Sequence, residues 1–308
     1  MLSLVVPLLA VSQAGVPTIK LNNGVVMPMV SIGTWQYNSS TAQQIVVEAL
    51  RLGYNHVDTA NDYNNQDGVG KALASFPRSS YFLTTKVPGV EAPHTGDAYN
   101  RTKASLAQNL QLLGLSQVDL VLVHFPPVGN TLWCSSMQET WRAMEEFYNA
   151  GLARAIGVSN YCESSFDCIL KTATVVPAVN QVGYHVGMGL DPIGIRSYCN
   201  AKGVVVQAYS PLGDNTADLI SGPLVTSIGG NHNKTGAQVS MHGPCMFRIA
   251  CCLRAAESSC GLVACRSRCA GSTRAECRSP PRAPAHHTSP RTWRSSGTPP
   301  STRPKNRR

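Results

Sequence analysis

A carboxylate and a phenol lie five residues apart in one polar stretch near the start of the chain. The stretch runs from Gly53 to Gly70 and contains Asp58 and Tyr63. This pairing is typical of acid–base chemistry, but an isolated phenol has a pKa of about 10. Such a group donates a proton usefully near neutrality only when a neighbouring cation and hydrogen bonds stabilise its phenolate. Lys86, which follows the next apolar run, is the cation that we expect to serve this purpose.

Polar residues also end the later apolar runs of the chain. These residues are Asp58, Lys86, His124, Ser159, Asn160, Gln181, Tyr209 and Ser210. The runs alternate with segments of helical spacing near 69–76, 100–113, 138–150, 163–172 and 192–201, which is typical of parallel βα units. In a (β/α)8 barrel the strand ends converge on the face where catalysis takes place. The sequence therefore predicts an α/β chain folded as a TIM barrel. A doubly wound sheet is not favoured, because no G-x-G-x-x-G occurs.

The predicted strands follow directly from the apolar runs. They are Val30–Trp35, Asn55–Asp58, Tyr81–Lys86, Val118–His124, Ala153–Ser159, Ala178–Gln181 and Val204–Ser210. Two shorter runs within residues 18–27 flank Asn23-Gly24, which predicts an N-terminal β-hairpin with a type I′ turn. Residues 42–52 have helical apolar spacing and end near Gly53.

The string G-Y-N-H-V-D-T-A-x-x-Y-x-N-x-x-x-V-G, with the later matches, resembles the signature of the aldo-keto reductases from about Pro17 to Met241. The resemblance implies that Tyr63 is the general acid that protonates a substrate carbonyl oxygen. It also implies that Lys86, held by Asp58, lowers the phenol pKa, and that His124 orients the carbonyl. Taken singly, these residues have plainer interpretations, such as a helix cap, a solvated surface charge or a satisfied core histidine.

The same resemblance implies an NADP(H) cofactor and a small-molecule carbonyl substrate. Residues expected to contact the cofactor are Thr34, Asp58, Ser159, Asn160, Gln181, Tyr209, Ser210 and Leu212, with Tyr209 stacking on the nicotinamide ring. Substrate contacts are expected from Trp35, Tyr63, His124 and Phe125. The family often has Trp where Phe125 stands, so the substrate size stays open. No metal site is expected.

The likeness stops after residue 241, before the strand and helix that complete the family's barrel. In the family that unit carries a Lys-Ser step and an Arg for the 2′-phosphate, so the barrel is predicted to be incomplete at its last βα unit. Residues 242–308 hold 13 Lys/Arg and two acids, whereas residues 1–241 hold 13 and 15. We predict a reductase domain at 15–241 and a disordered basic tail, rich in Cys, Pro and Ser, at 242–308.

A shifted reading frame or an unspliced intron is one explanation of the tail, and a genuine product is the other. An inactive or unstable reductase-like chain, at most a binding protein, is the alternative function.

Residues 1–14 are largely apolar and end in small residues, which predicts a signal peptide and the secretory pathway. The alternative is an ordinary apolar leader on a cytoplasmic protein, because this segment carries no Lys or Arg. Three sequons, at Asn38, Asn100 and Asn233, fit either interpretation.

The four cysteines before residue 242 define no disulfide or metal site. No nucleic-acid partner or membrane span is expected, and the protein is expected to be a monomer.

Overall fold

A computed structural model describes residues 16–90, 97–127, 134–213 and 217–240. The strands are β1 (Thr18–Lys20), β2 (Val26–Pro28), β3 (Ile32–Gly33), β4 (His56–Asp58), β5 (Phe82–Val87), β6 (Val118–Val123), β7 (Ala153–Ser159), β8 (Val179–Gly183) and β9 (Val205–Tyr209). The helices are α1 (Ser39–Arg51), α2 (Gln66–Leu73), α3 (Ala98–Leu113), α4 (Cys134–Asn149), α5 (Glu163–Ile169), α6 (Ile195–Ala201), α7 (Ala217–Ser221) and α8 (Pro223–Asn231). The predicted signal peptide at 1–14 and the predicted tail at 242–308 lie outside the described residues.

Seven parallel strands form one sheet in the order of the chain, β3-β4-β5-β6-β7-β8-β9. A helix connects each pair of neighbouring strands in this sheet, as parallel pairing requires. The fold is an incomplete (β/α)8 barrel preceded by an antiparallel hairpin, β1 and β2, which confirms the predicted fold class. Among the described residues, β3 and β9 each have one neighbour and are therefore the edges of the sheet.

Side chains alternate between two faces along each strand, and the two faces differ in chemistry. On β5 and β6, Leu83, Val121 and Val123 pack in the core between sheet and helices. Phe82 and Leu120 instead pack on the inner face of the sheet with residues of the hairpin. Counting in twos from these inner positions reaches a polar residue at the carboxyl end of each strand. The period of the strands therefore brings those polar residues to one face.

The hairpin covers the opposite, amino-terminal end of the strands. Leu21 and Met27 are buried against the inner strand residues, as expected for a plug on the barrel floor. The predicted type I′ turn is wrong. Gly24 N–H donates to Leu21 O at 3.0 Å and Leu21 N–H to Val25 O at 2.8 Å, and of the Asn23-Gly24 pair only Gly24 has a positive φ. This is a type I turn with a glycine bulge, the usual three-residue hairpin loop.

Helices α1, α2 and α3 pack closely beside the start of the sheet. Asn38 caps α1 by accepting from Thr41 N–H, and Ala42 and Val46 lie buried on one face. In α2 the approach to α3 is so close that a Cβ on Gly70 would lie 2.7 Å from Leu112 O. A larger residue would clash at this position, which explains why the sequence signature has glycine there.

Two features of the structure were not predicted. Helices α7 and α8 lie in a region for which the sequence predicted no element, because they are short and are separated only by Gly222. Cys134 and Cys168 form a disulfide that joins α4 to α5, which corrects the expectation that these cysteines define none. No helix among the described residues combines the length and the apolar character needed to cross a membrane.

Candidate active site

Tyr63 lies in a 3-10 turn, Asn61–Tyr63, directly after β4. The turn ends at Asn64, which adopts the left-handed conformation with φ 54°. It brings the Tyr63 hydroxyl to 3.3 Å from Lys86 Nζ at the end of β5. The phenol and the ammonium that the sequence predicted to act together are therefore within reach of each other.

A buried ion pair fixes Lys86. Its Nζ donates to Asp58 Oδ1 at 2.5 Å and to Thr59 O at 3.1 Å. Only 1% of the Lys86 side chain is exposed. The second oxygen of Asp58 accepts from Gln181 Nε2 at 2.7 Å. With both carboxylate oxygens occupied, the ammonium cannot easily leave the phenol.

The net electrostatic effect on Tyr63 differs from the prediction. Burial, followed by the negative charges of Asp58 and Asp62, raises the pKa of the phenol above its ordinary value. Burial therefore dominates the net shift, and the lowering of this pKa expected from Lys86 stays a prediction about that one contribution. The phenol stays protonated at neutral pH, which is the form that a proton donor needs.

A network of buried amides supports this site from behind, and the sequence analysis missed it. Asn109 on α3 donates to Lys86 O at 3.1 Å and accepts from Gln66 on α2 at 2.7 Å. Gln66 accepts in turn from the Thr85 hydroxyl at 2.6 Å. Buried polar side chains in folded proteins are nearly always hydrogen-bonded. A polar residue on the buried face of each helix was therefore the sequence feature that could have revealed this network.

Thr34 belongs to a second supporting network. Its hydroxyl lies 3.0 Å from Thr59 Oγ1 and 3.3 Å from Asp58 O, and its carbonyl accepts from Asn65 Nδ2 at 2.7 Å. Thr34 is fully buried and is not among the described residues that line the cavity. Its position suits a group that holds the turn before Tyr63.

His124, at the end of β6, is paired with a residue that the sequence analysis did not select. Its Nδ1 lies 2.8 and 2.9 Å from the two carboxylate oxygens of Asp62. The Tyr63 ring meets the His124 ring edge-on, with centroids 5.6 Å apart, and Phe125 stacks on it at 4.4 Å. The imidazole is therefore held on three sides, next to the phenol.

The residues predicted to contact a nicotinamide lie together at the ends of β7, β8 and β9. The Ser159 hydroxyl donates to Gln181 O at 2.8 Å, and Asn160 Nδ2 donates to His124 O at 2.9 Å and to Ser159 Oγ at 3.1 Å. The Tyr209 hydroxyl donates to Asn160 Oδ1 at 3.0 Å. These hydrogen bonds link the expected cofactor side of the site to His124.

A cavity of about 610 Å³ opens in front of these groups. Its wall includes Trp35, Asp58, Asp62, Tyr63, His124, Phe125, Asn160, Gln181, Tyr209 and Ser210. It continues towards the hairpin past residues of the edge strands β3 and β9, such as Gly33 and Val205. Of the predicted site residues, Thr34, Lys86, Ser159 and Leu212 are not among the described lining residues.

The donor set at this wall fits a nicotinamide. A carboxamide needs both donors and acceptors, which the amides of Asn160 and Gln181 provide. Tyr209 adds an aromatic ring with 38% of its surface exposed. The residues that follow β9 and α8 and stand where the family has its 2′-phosphate contacts lie outside the described residues.

Comparison with known proteins agrees with this geometry. The profile of the Aldo/keto reductase family matches residues 29–218. The chain is 36% identical over 225 residues to glyoxal reductase of Bacillus subtilis (strain 168), an alignment that covers 72% of this chain and 76% of that protein. It is 32% identical over 243 residues to glycerol 2-dehydrogenase (NADP(+)) of Saccharomyces cerevisiae (strain ATCC 204508 / S288c), which covers 70% and 74%. The crystal structure of an aldo/keto reductase from Brucella melitensis superposes with a TM-score of 0.66 at 34% identity and covers 74% of this chain and 83% of that one.

Proposed function

The chain belongs to the aldo/keto reductase family of oxidoreductases, and from that premise we propose that it reduces aldehydes or ketones to alcohols with NADPH. Tyr63 serves as the proton donor in this proposal. The observation that carries it is the contact between the Tyr63 hydroxyl and the buried Lys86–Asp58 pair at the cavity wall.

Reduction of a carbonyl places negative charge on its oxygen, and a proton donor in the site neutralises that charge. A reduced nicotinamide, when bound, would supply the hydride to the carbonyl carbon. The Tyr63 hydroxyl then protonates the oxygen, and Lys86 stabilises the phenolate that remains, 3.3 Å from its ammonium. A positioned acid of this kind contributes about 10²–10⁴ to the rate.

The other residues bind and orient. Asn160, Gln181 and Tyr209 would hold the nicotinamide, with Asp58 and Ser210 as further cofactor contacts at the cavity wall. Ser159 and Thr34, which are buried behind that wall, would hold these groups in place. His124 orients the substrate carbonyl, while Trp35 and Phe125, which are 53% and 46% exposed, form apolar walls around the substrate. Large aromatic surface at a cavity mouth excludes water from a small carbonyl compound.

The use of NADPH and the monomeric state are parts of the proposal that rest on family resemblance. The yeast relative is named for NADP(+), which supports the same choice here. Since NADPH and NADH differ only in the 2′-phosphate, their relative affinity reports directly on a phosphate site in the full chain.

The test is a pair of measurements on the full chain. Titration with NADPH and NADH should quench Trp fluorescence, because Trp35 lines the cavity. The preference for NADPH over NADH should be small or absent, because the likeness to the family ends before the unit that binds the 2′-phosphate. Consumption of NADPH should then depend on added aldehyde, with glyoxal and simple aliphatic aldehydes as probes. Binding without any carbonyl-dependent turnover would instead support the alternative of a binding protein.

A further inference from the structure

The carboxylate of Asp62 faces the cavity on its substrate side and has no role in the proposed reduction. Asp62 directly precedes Tyr63 in the 3-10 turn after β4, and it belongs to the cavity wall. Its side chain is 41% exposed, and its charge is one of those that act on the Tyr63 phenol. A ligand whose carbonyl oxygen lies at the Tyr63 hydroxyl would therefore have this carboxylate close to its neighbouring atoms.

Asp62 is an anion that can accept a further partner. Burial raises the pKa of this carboxyl, but the hydrogen bond from His124 and the other neighbouring groups outweigh burial and hold the pKa below its ordinary value. Both carboxylate oxygens lie within 2.9 Å of His124 Nδ1, so they share one N–H. An ionised carboxylate has about four acceptor positions. The exposed part of Asp62 can therefore pair with a cation that enters the cavity.

The lysine and arginine side chains nearest the cavity belong to other partners. Among the described residues, Asp62 forms no ion pair with a lysine or an arginine. Lys86 is 1% exposed, pairs with Asp58 at 2.5 Å and is not among the described lining residues. Arg196 does line the cavity, but it lies on α6 after β8, and its Nη1 donates to Leu190 O at 3.2 Å. Strands β5, β6 and β7 separate β8 from β4 in the sheet, so the charge that a ligand meets beside Tyr63 is that of a carboxylate.

Aromatic rings form the cavity wall around this carboxylate. Trp35 and Phe125 line the cavity and are 53% and 46% exposed. Phe125 stacks on His124, the partner of Asp62, with ring centroids 4.4 Å apart. The face of an aromatic ring attracts an ammonium group within about 6 Å, and tryptophan does so most strongly. Aromatic faces beside an anion therefore suit an ammonium group, whereas a carboxylated ligand would bring a second negative charge next to Asp62.

We propose that Asp62, together with Trp35 and Phe125, selects carbonyl compounds that carry an ammonium group near the reacting carbonyl, such as aminoaldehydes. The same carboxylate disfavours compounds that carry a carboxylate there. The proposal rests on carbonyl reduction as the function of the site and names the substrate class. The ammonium group takes no part in bond formation, since hydride still adds to the carbonyl carbon and the proton still comes from Tyr63. Asp62 is thus a specificity-determining residue.

The test compares the wild type, Asp62→Asn and Asp97→Asn in the full chain with matched aldehydes. Asparagine keeps the size of the side chain and an acceptor oxygen for His124 and removes the charge. Asp97 is exposed, and its side chain bonds to Asn100 alone among the described side-chain hydrogen bonds, so it controls for the loss of one surface charge. The cationic probe is betaine aldehyde, and its neutral isostere is 3,3-dimethylbutanal, in which carbon replaces the nitrogen. The anionic probe is 4-oxobutanoate, and its neutral counterpart is the methyl ester.

A second readout needs no turnover. Choline and 3,3-dimethylbutan-1-ol are the alcohols that reduction of the first aldehyde pair would give. Their dissociation constants are measured by isothermal titration calorimetry, with and without NADP+. Because the wild type alone already compares a cation with its neutral isostere, this measurement does not depend on how well Asp62→Asn folds.

The expected result follows from the attraction between two unit charges. About 6 Å apart and at an effective dielectric constant of about 20, this attraction is a factor of about 100 in an equilibrium constant. Partial exposure and salt reduce it to about tenfold. Choline should therefore bind the wild type about tenfold more tightly than its isostere. The ratio of kcat/KM for betaine aldehyde to that for 3,3-dimethylbutanal should fall about tenfold in Asp62→Asn and stay unchanged in Asp97→Asn.

The anionic pair should respond in the opposite direction. The ratio of kcat/KM for 4-oxobutanoate to that for its ester should rise in Asp62→Asn, because a repulsion has been removed. Any effect of the substitution on the reduction step is common to both members of a pair and cancels in these ratios. A merely structural role of Asp62 would lower all four rates together and leave both ratios unchanged.

Two results would overturn the proposal. The first is a cation-to-neutral ratio that is the same in Asp62→Asn and the wild type. The second is wild-type binding of 3,3-dimethylbutan-1-ol that is as tight as that of choline, or binding of neither alcohol. If the wild type reduces none of the aldehydes but prefers choline, and loses that preference in Asp62→Asn, the proposed function fails and the choice of ligand class by Asp62 is upheld.

Discussion

Removal of the Lys86 ammonium while Asp58 remains is the perturbation that tests the buried ion pair most severely. In Lys86→Met a side chain of similar length replaces the cation, and the Asp58 carboxylate keeps only Gln181 among its side-chain partners. Lys86 is 1% exposed and the Asp58 side chain 11%, so water can solvate only a small part of the carboxylate that remains. Breaking a buried pair on one side destabilises a protein by about 3–5 kcal/mol. This is a large part of the roughly 5–15 kcal/mol that stabilises a typical domain.

The matched control is Lys71→Met. Lys71 pairs with Asp67 one helical turn away, and the two side chains are 65% and 44% exposed. A surface pair of this kind contributes about 0.2–0.5 kcal/mol. Denaturant unfolding of both variants, followed by circular dichroism, should therefore show a large loss for Lys86→Met and almost none for Lys71→Met.

A double variant separates stability from catalysis. Asp58→Asn combined with Lys86→Met removes the uncompensated charge and keeps an acceptor for Gln181, so most of the lost stability should return. Carbonyl reduction should not return, because nothing then stabilises the Tyr63 phenolate. Equal stability of Lys86→Met and Lys71→Met, or reductase activity in the double variant, would refute this reasoning.

Three further predictions concern stability and processing. Burial lowers the pKa of His56, although its hydrogen bond to Pro28 O opposes this. As the pH falls, the unfolded chain therefore takes up a proton at this histidine before the folded chain does, so the free energy of unfolding should fall below about pH 6.5. Denaturant titration at several pH values should show this fall, and a less steep one in His56→Gln. Gly70→Ala should lower the melting temperature, because its Cβ would lie 2.7 Å from Leu112 O, whereas Gly53→Ala, which meets no atom within 4 Å, separates backbone strain from this clash. If residues 1–14 are a signal peptide, material from the secretory route should begin at Gly15 and carry glycan on some of the exposed Asn38, Asn100 and Asn233. Its Cys134 and Cys168 should form a disulfide that resists alkylation. An intact amino terminus would contradict this prediction.

The sequence predicted the barrel because one physical rule acts on every strand. Parallel strands that are buried on both faces appear as apolar runs, and the side chain at each carboxyl end then reaches the active face. Asp58, Lys86, His124 and Gln181 were identified in this way, and the structure brings them together. The family resemblance added their expected roles, which the distances alone do not provide.

Other contacts could not be predicted because they depend on the packing of distant elements. Asn109 and Gln66 lie on helices whose separation from Lys86 is fixed only by the fold. Asp62 lies in the signature itself, but its partner His124 is 62 residues away. Cys134 and Cys168 show no recognisable spacing, and the direction of the Tyr63 pKa shift depends on the depth of burial and on Asp62.

The account depends most on Tyr63 as the proton donor, and its replacement by phenylalanine tests that claim directly. Tyr63→Phe removes one hydroxyl and leaves the ring against His124. The matched control is Tyr54→Phe, at a residue 39% exposed and outside the described cavity lining. The account predicts that kcat for aldehyde reduction falls by about 10² or more in Tyr63→Phe, with NADPH binding unchanged and with Tyr54→Phe equal to wild type. Turnover in Tyr63→Phe comparable to that of wild type would contradict it.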